Sequence, residues 1–472
     1  MDIINQGKIN KVREELQDVV LGQIPDGTLT DYKLSDEPGQ LKSQLAEMTN
    51  AIMTGRYTLQ RPSEFTWEAP INIYRDFNRV YFTDYNIALN KNTGGASYYV
   101  DVVNGNDTNN GLTLGTALKN IQTAVAKSDV ITIYLANGGY NKDSGFNGIA
   151  ITKNINIIGL GDSVICDTSD VLTDFISSAN PNLYRTTRVI GTLAVYDTNV
   201  LDANGDYTKL TKQTDLTVAN NTPGSYYTTG SYIFVHPADS RDLTGLTAEQ
   251  AKIVSYVNVN NLVASGNIKI YIENLKLEGG TNWFKNTGAG QNLEVFAKNC
   301  KFKYTSSQDV FDIDGASLVV VENCLAARAY EDGFNYHALN NVKPKVIEIN
   351  CVGRHNGHAS DDTDNGSTMH EGGSIIRLNG EYHHNVGPNV ADVSPGNRTW
   401  NIACDAHDSL AQSINRGDFF LMYGSDCKMW NEACKSSNSP YSIWNDNGNM
   451  YLRNCDFEES YYVVNGGTVE LY

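Results

Sequence analysis

The sequence predicts an all-β protein: a right-handed parallel β-helix carrying a short α-helical N-terminal segment and a small β module. Three observations predict it. The first is a repeat. The phrase Asn-(Cys or another residue)-x-(apolar) returns at Asn274, Asn299, Asn323, Asn350 and Asn379, with looser copies at Ala403, Asp426 and Asn454. Its spacings of 25, 24, 27, 29, 24, 23 and 28 residues are those of a solenoid whose units bury their apolar faces only against one another. The second is the pattern within each copy. Residues one and three places after the marker are small or apolar (Cys300 and Phe302, Cys324 and Ala326), while those two and four places after it are mostly polar (Lys301 and Lys303, Glu381 and His383). That is the period of a strand with one buried face. The third is composition: the Gly, Asn and β-branched content forbids two helices per copy, and the Leu spacing of a leucine-rich repeat is absent. The marker Asn reads as a turn residue that tolerates the left-handed region and bonds its equivalents in the coils above and below.

The elements follow in order. Ile9, Val12, Leu16 and Val19 space a helix over 7–20, and Leu41, Leu45, Met48 and Ile52 space a second after Pro38-Gly39. Both suit self-association and equally suit packing on the same chain. Residues 1–56 are therefore read as an attachment and oligomerisation segment. Short alternating stretches such as Ile71–Tyr74 and Val80–Phe82 make 57–97 a small β module. The solenoid is expected over 98–472. It opens with a strand at Tyr98–Asp101, a helix near 115–126 that plugs the open end of the core, and strands at Val130–Tyr134 and Ile155–Gly159. Residues 180–250 break the period and read as an excursion.

A net charge of -18 opposes a nucleic-acid groove, and a polyanionic ligand would need local cations. No stretch of 18 apolar residues is present to span a membrane. The start, Met1–Gln6, lacks the basic and apolar regions of a secretory signal, so export by lysis or within a particle is expected. Cys300, Cys324, Cys351, Cys404, Cys427 and Cys455 fall at the inward position and are expected to be buried free thiols.

Asp101–Thr113, followed by the helix around Ile121, resembles the opening of pectate-lyase-like β-helix proteins, and Ile24–Leu34 with Pro38-Gly39-Gln40 is similar to N-terminal segments of phage tail proteins. The resemblance implies a bacteriophage or prophage tail spike or appendage on the virion tail. It implies a homotrimer joined to tail or baseplate proteins through its N-terminus, which binds and often depolymerises a host surface polysaccharide or teichoic acid.

Seven of the eight histidines lie between His337 and His407, among dense Asp and Glu, and coil packing requires none of this. Two candidate sets emerge. On turns and longer loops, Asp332, His337, His370 and Glu371 combine acids and histidines among glycines; they resemble segments of phage β-helix proteins and are expected to be catalytic. On the strand face, Glu381 and Asp405 share one offset in neighbouring coils and are expected to divide acid and base or nucleophile roles. About 5 Å between them would favour a retaining mechanism on a glycoside. Arg354, His383, His407 and Trp430 share the next offset and are expected to line the groove and bind substrate. No cofactor is required, although His383, His407, Glu381 and Asp405 are equally compatible with a divalent cation. Asp361–Gly366 has the composition of a calcium loop without the closing Glu of an EF-hand. A hydrolase is favoured over a lyase, whose Arg or Lys base and calcium-binding aspartates are poorly matched. A non-enzymatic glycan-binding adhesin and a free polysaccharide lyase are the alternatives.

Overall fold

The computed structural model describes residues 55–472 apart from 147, 188, 190, 192, 359–363, 411–416, 423 and 425. The two expected N-terminal helices, and Asp361 to Thr363 of the calcium-like loop, lie outside the described residues. The chain divides into compact units at 1–86 and 87–472. In the first, Arg56–Thr58, Ile73–Asp76 and Tyr81–Thr83 form an antiparallel sheet, with Phe65, Trp67 and Ile73 buried.

The second unit is a right-handed parallel β-helix. One coil shows the plan: Lys269–Glu273 in sheet I, Lys276–Glu278 in sheet II and Thr281–Lys285 in sheet III. Sheet I holds 12 strands and sheets II and III hold 10 each. Leu277, Phe302, Ala326, Gly353, Tyr382 and Ala406 stand in register up sheet II. Six marker asparagines, Asn454 included, adopt the left-handed region between sheets I and II, with φ from 52° to 58°. From Asn299 to Asn379, each side-chain amide donates to the carbonyl of the Asn one coil before, at 3.0–3.2 Å. The ladder thus satisfies side chains that the turn leaves stacked.

All eight cysteines are free, and seven are buried. The seventh coil corrects the repeat alignment: Cys427 precedes the sheet I strand Lys428–Glu432, and Ala433-Cys434 occupies the turn position instead. Ala433 carries the left-handed turn without an Asn, as Ala403 does, and Asp426-Cys427 mimics the marker seven residues earlier. The cap is a helix at Ile121–Val125. Asn120 Oδ1 accepts from Gln122 N–H, and Ile121 and Ala124 join the core cluster of Val100, Ile133 and Leu135.

The excursion leaves after Val164–Asp167 of sheet II and returns at Asn260–Ser265 of sheet III. It is wider than 180–250: its two small sheets run from Asp170 to Tyr256 around Leu172, Phe175, Val195, Ile233 and Val235. It folds over outward residues four and five places after the markers. Asp206 is fully buried there, paired with Lys303, with Arg328 Nε at 3.4 Å and with Arg354 Nη1 at 2.5 Å. These residues point outward as the pattern requires, and the inserted lobe then removes them from water.

Inside the helix, an apolar column from Val100 to Ile375 gives way to a charged layer. Glu348, Arg377 and Asp392 are each fully buried. Glu348 accepts from Tyr336 and Ser367 hydroxyls at 2.8 and 2.7 Å, and Arg377 donates to Ser367 Oγ at 2.8 Å and lies 3.6 Å from Asp392. A second apolar cluster of Tyr382, Cys404, Phe419 and Met450 follows.

Candidate functional site

Two neighbouring coils enter sheet III with one phrase: Asp309-Val310-Phe311-Asp312-Ile313 and Asp332-Gly333-Phe334-Asn335-Tyr336. Register sets Phe311 beside Phe334 and Asp312 beside Asn335, with Thr368 next. Because Phe311, Ile313, Phe334 and Tyr336 fill the core, the alternate Asp312 and Asn335 face out. Asp309 and Asp332 are joined through the backbone. Asp332 N–H donates to Asp309 Oδ1 at 2.7 Å, Asn365 N–H to Asp332 Oδ1 at 2.5 Å, and the Asn335 amide to Asp309 Oδ2 at 2.8 Å.

Three carboxyls in so little space, mostly shielded from water, are shifted toward their protonated forms. Burial, then the Asp309 charge, pushes both Asp312 and Asp332 well above the usual carboxylate range. Burial also raises Asp309, against the donors Asn335 and Asp332 N–H that favour its ionised form. Among the described residues, Asp312 Oδ1 has no hydrogen-bond partner.

The adjoining rung brings together the other loop residues singled out in the sequence. The His337 and His370 rings stack at 4.0 Å and 16°. Glu371 Oε2 lies 3.3 Å from His337 Nδ1 and accepts from Ala338 N–H at 3.0 Å, while His337 Nε2 lies 3.2 Å from the Asn335 amide. Burial alone would depress His337, but the Glu371 hydrogen bond and the Glu371, Asp312 and Asp309 charges hold it above its ordinary value. His370, desolvated beside His337, falls to about 3. Burial would raise Glu371, yet its bonds to His337 and Ala338 hold it below the usual range. Trp283 stands one coil before Asp312, its indole N–H on Asp314 at 2.8 Å.

The strand-face set is in register: Glu381 beside Asp405, His383 beside His407, with those imidazoles parallel at 4.8 Å and 5°. Glu381 Oε1 lies 3.6 Å from His407 and 3.9 Å from His383, and Asp408 holds His407 Nδ1 at 2.7 Å. Two expected groove residues are placed elsewhere. Arg354 is 8% exposed and its guanidinium is spent on Asp206, because the excursion covers it. Trp430 lies on sheet I between Trp400 and Tyr451, stacked on Tyr451 at 5.3 Å, because the seventh coil is shifted; Ser437 is the neighbour of His407. Asp309, Asp312, Asn335 and Thr368 were missed. The signal for them was a second repeat, Asp-x-Phe at a spacing of 23 residues, on strands the Asn-Cys marker does not touch.

No protein-family model matches the chain, and no curated protein matches its sequence. Solved structures do. A glycoside hydrolase aligns with 80% of this chain and 96% of its own length, at TM-score 0.53 and 10% identity. Pectate lyase Pel9A covers 80% of each chain at TM-score 0.33 and 14% identity. The tailspike protein gp49 of Pseudomonas phage LKA1 covers 74% of this chain and 70% of its own at TM-score 0.29 and 11% identity. At 10% identity the glycoside hydrolase match shows a shared fold alone.

Proposed function

We propose that this protein binds a bacterial surface glycan or teichoic acid along the outer face of sheet III and hydrolyses glycosidic bonds there. The observation that carries the reading is the group of Asp309, Asp312 and Asp332, whose surroundings favour shared protons. Glycoside hydrolysis needs one carboxyl protonated and another ionised. Asp312, half-buried and with an oxygen that has no hydrogen-bond partner among the described residues, is the general acid that protonates the leaving oxygen. Asp309, with two N–H donors, is the ionised partner that activates water or attacks the anomeric carbon. The Asp332 N–H donates to Asp309 and favours its ionised form. His337, oriented by Glu371, offers a cationic donor to acidic groups on the polymer. Elimination would call on Arg354 as base, and Arg354 is buried on Asp206. A place in a phage tail, as a trimeric receptor-binding spike, rests on the sequence resemblance at Ile24–Leu34 and Asp101–Thr113.

The test is release of new reducing ends, without unsaturated products, from cell-surface polymers of candidate hosts. Asp312→Asn and Asp309→Asn are expected to lower turnover by about 10²-fold or more while polymer binding persists. Full activity in both variants would move the site elsewhere. Binding by the parent without cleavage of any polymer would establish the adhesin reading.

A further inference from the structure

Apart from the carboxylate site, four histidines gather at the turn that ends the sheet II strands. His383 and His407 occupy one rung of neighbouring coils. His355 and His384 are the left-handed residues that follow successive strands, each with φ 54°. Other coils make this turn with Gly279, Tyr304, Arg328, Asp408 or Asn438. One such side chain per coil therefore projects at the same place, and here two successive ones are imidazoles beside His383. The His355 ring lies 4.8 Å from that of His384 and 5.8 Å from that of His383. His383 Nδ1 and His384 Nδ1 are 2.8 Å apart, and one ring nitrogen from each of the three lies within 4.8 Å of the others. Two ring nitrogens this close either share a proton or turn their lone pairs toward one cation.

We propose that His355, His383 and His384 bind a single borderline first-row divalent cation of the Zn²⁺ class. Three imidazoles suit such an ion and not Ca²⁺ or Mg²⁺, which take oxygen ligands. Three protein ligands also leave a coordination position open. The surroundings support the assignment. Arg354 and Arg328 do not repel the ion unopposed, since Asp206 and Asp202 pair with them. The ligand set differs from the Glu381, Asp405, His383 and His407 set expected from offsets. It joins two coils, and Asn204 of the excursion reaches it. The proposal is independent of the glycan reading.

Untagged protein dialysed against a chelator and titrated with ZnCl₂ by calorimetry tests it, with CaCl₂ and MgCl₂ in parallel. The expected result is one zinc per chain at micromolar affinity or tighter, with no uptake of calcium or magnesium at this site. His355→Asn and His384→Asn keep a residue that tolerates the left-handed turn while removing the imidazole; each is expected to weaken zinc by 10-fold or more. His337→Asn, in the other histidine group, is expected to leave zinc affinity unchanged. Melting of the metal-free variants at the parental temperature ties the loss to the ligand. Absence of stoichiometric zinc uptake by the parent, or uptake lost in His337→Asn and kept in both turn variants, overturns the proposal.

Discussion

Replacing Arg377 with Met tests how the charged layer inside the helix is held. Arg377 is fully buried, and it faces two buried carboxyls, Glu348 and Asp392. Its Nε donates to Ser367 Oγ at 2.8 Å, its Nη1 to Asn401 Oδ1 at 3.3 Å, and it lies 3.6 Å from Asp392. Met fills a similar volume, so the cavity contribution is small and the lost charge dominates. Removing one partner of a buried ion network costs about 3–5 kcal/mol. Protonation sets the pH dependence. Burial already raises Asp392 against the pull of Arg377. Without that cation Asp392 rises further, and a raised folded pKa withdraws stability as pH climbs above the unfolded value. The loss should therefore be larger at pH 7.5 than at pH 5. Urea unfolding followed by tryptophan fluorescence at both values measures it. Adding Glu348→Gln and Asp392→Asn should recover much of the loss. A cost below about 1 kcal/mol, or one equal at the two pH values, would refute the claim that Arg377 balances these charges.

Four further outcomes are expected. Asn323→Ala should cost about 1–2 kcal/mol in chemical denaturation, because Ala resists φ 53° at that turn, and Asn323→Gly should cost less. Acidification from pH 6.5 toward 4 should destabilise the metal-free protein, since the unfolded state binds protons that His355 and His383, held near 4, refuse; with partial solvent access allowed for, about 2 kcal/mol each is expected, and the slope should shrink in His355→Asn. Asp206→Asn should destabilise by about 3 kcal/mol or more in thermal melts, leaving Lys303 and Arg354 facing a neutral side chain. Analytical ultracentrifugation of the full chain should give a trimer, and a monomer across micromolar concentrations would remove the tail-spike reading.

The sheet II strand was legible because most coils spell it with a turn Asn, an inward Cys and an inward small or apolar residue. Where Ala433 replaced the Asn, the alignment slid to Cys427 and carried Trp430 to the wrong sheet. Offsets along one strand were reliable between adjacent coils, as the pairing of Glu381 with Asp405 shows. The outward direction of Arg354 was equally legible, but its burial was not, since Asp206 lies 148 residues earlier in a lobe that follows no repeat. Asp312 was hidden for another reason. A lone Asp between Phe311 and Ile313 looks like any solvated strand residue until the register sets it among other carboxyls.

A solenoid held only by contacts between adjacent coils frays from its ends like a zipper. Asp206 changes that mechanical rule. Its carboxylate reaches side chains from three successive turns of the spiral, Lys303, Arg328 and Arg354, from a lobe anchored earlier in the chain. Those turns cannot open singly, because releasing any one strips a buried anion of part of its cationic cage. Amide exchange is expected to show stepwise opening toward Tyr472 that halts at this clasp, with the strands at Lys301–Lys303, Leu325–Ala327 and Val352–Arg354 exchanging as one block.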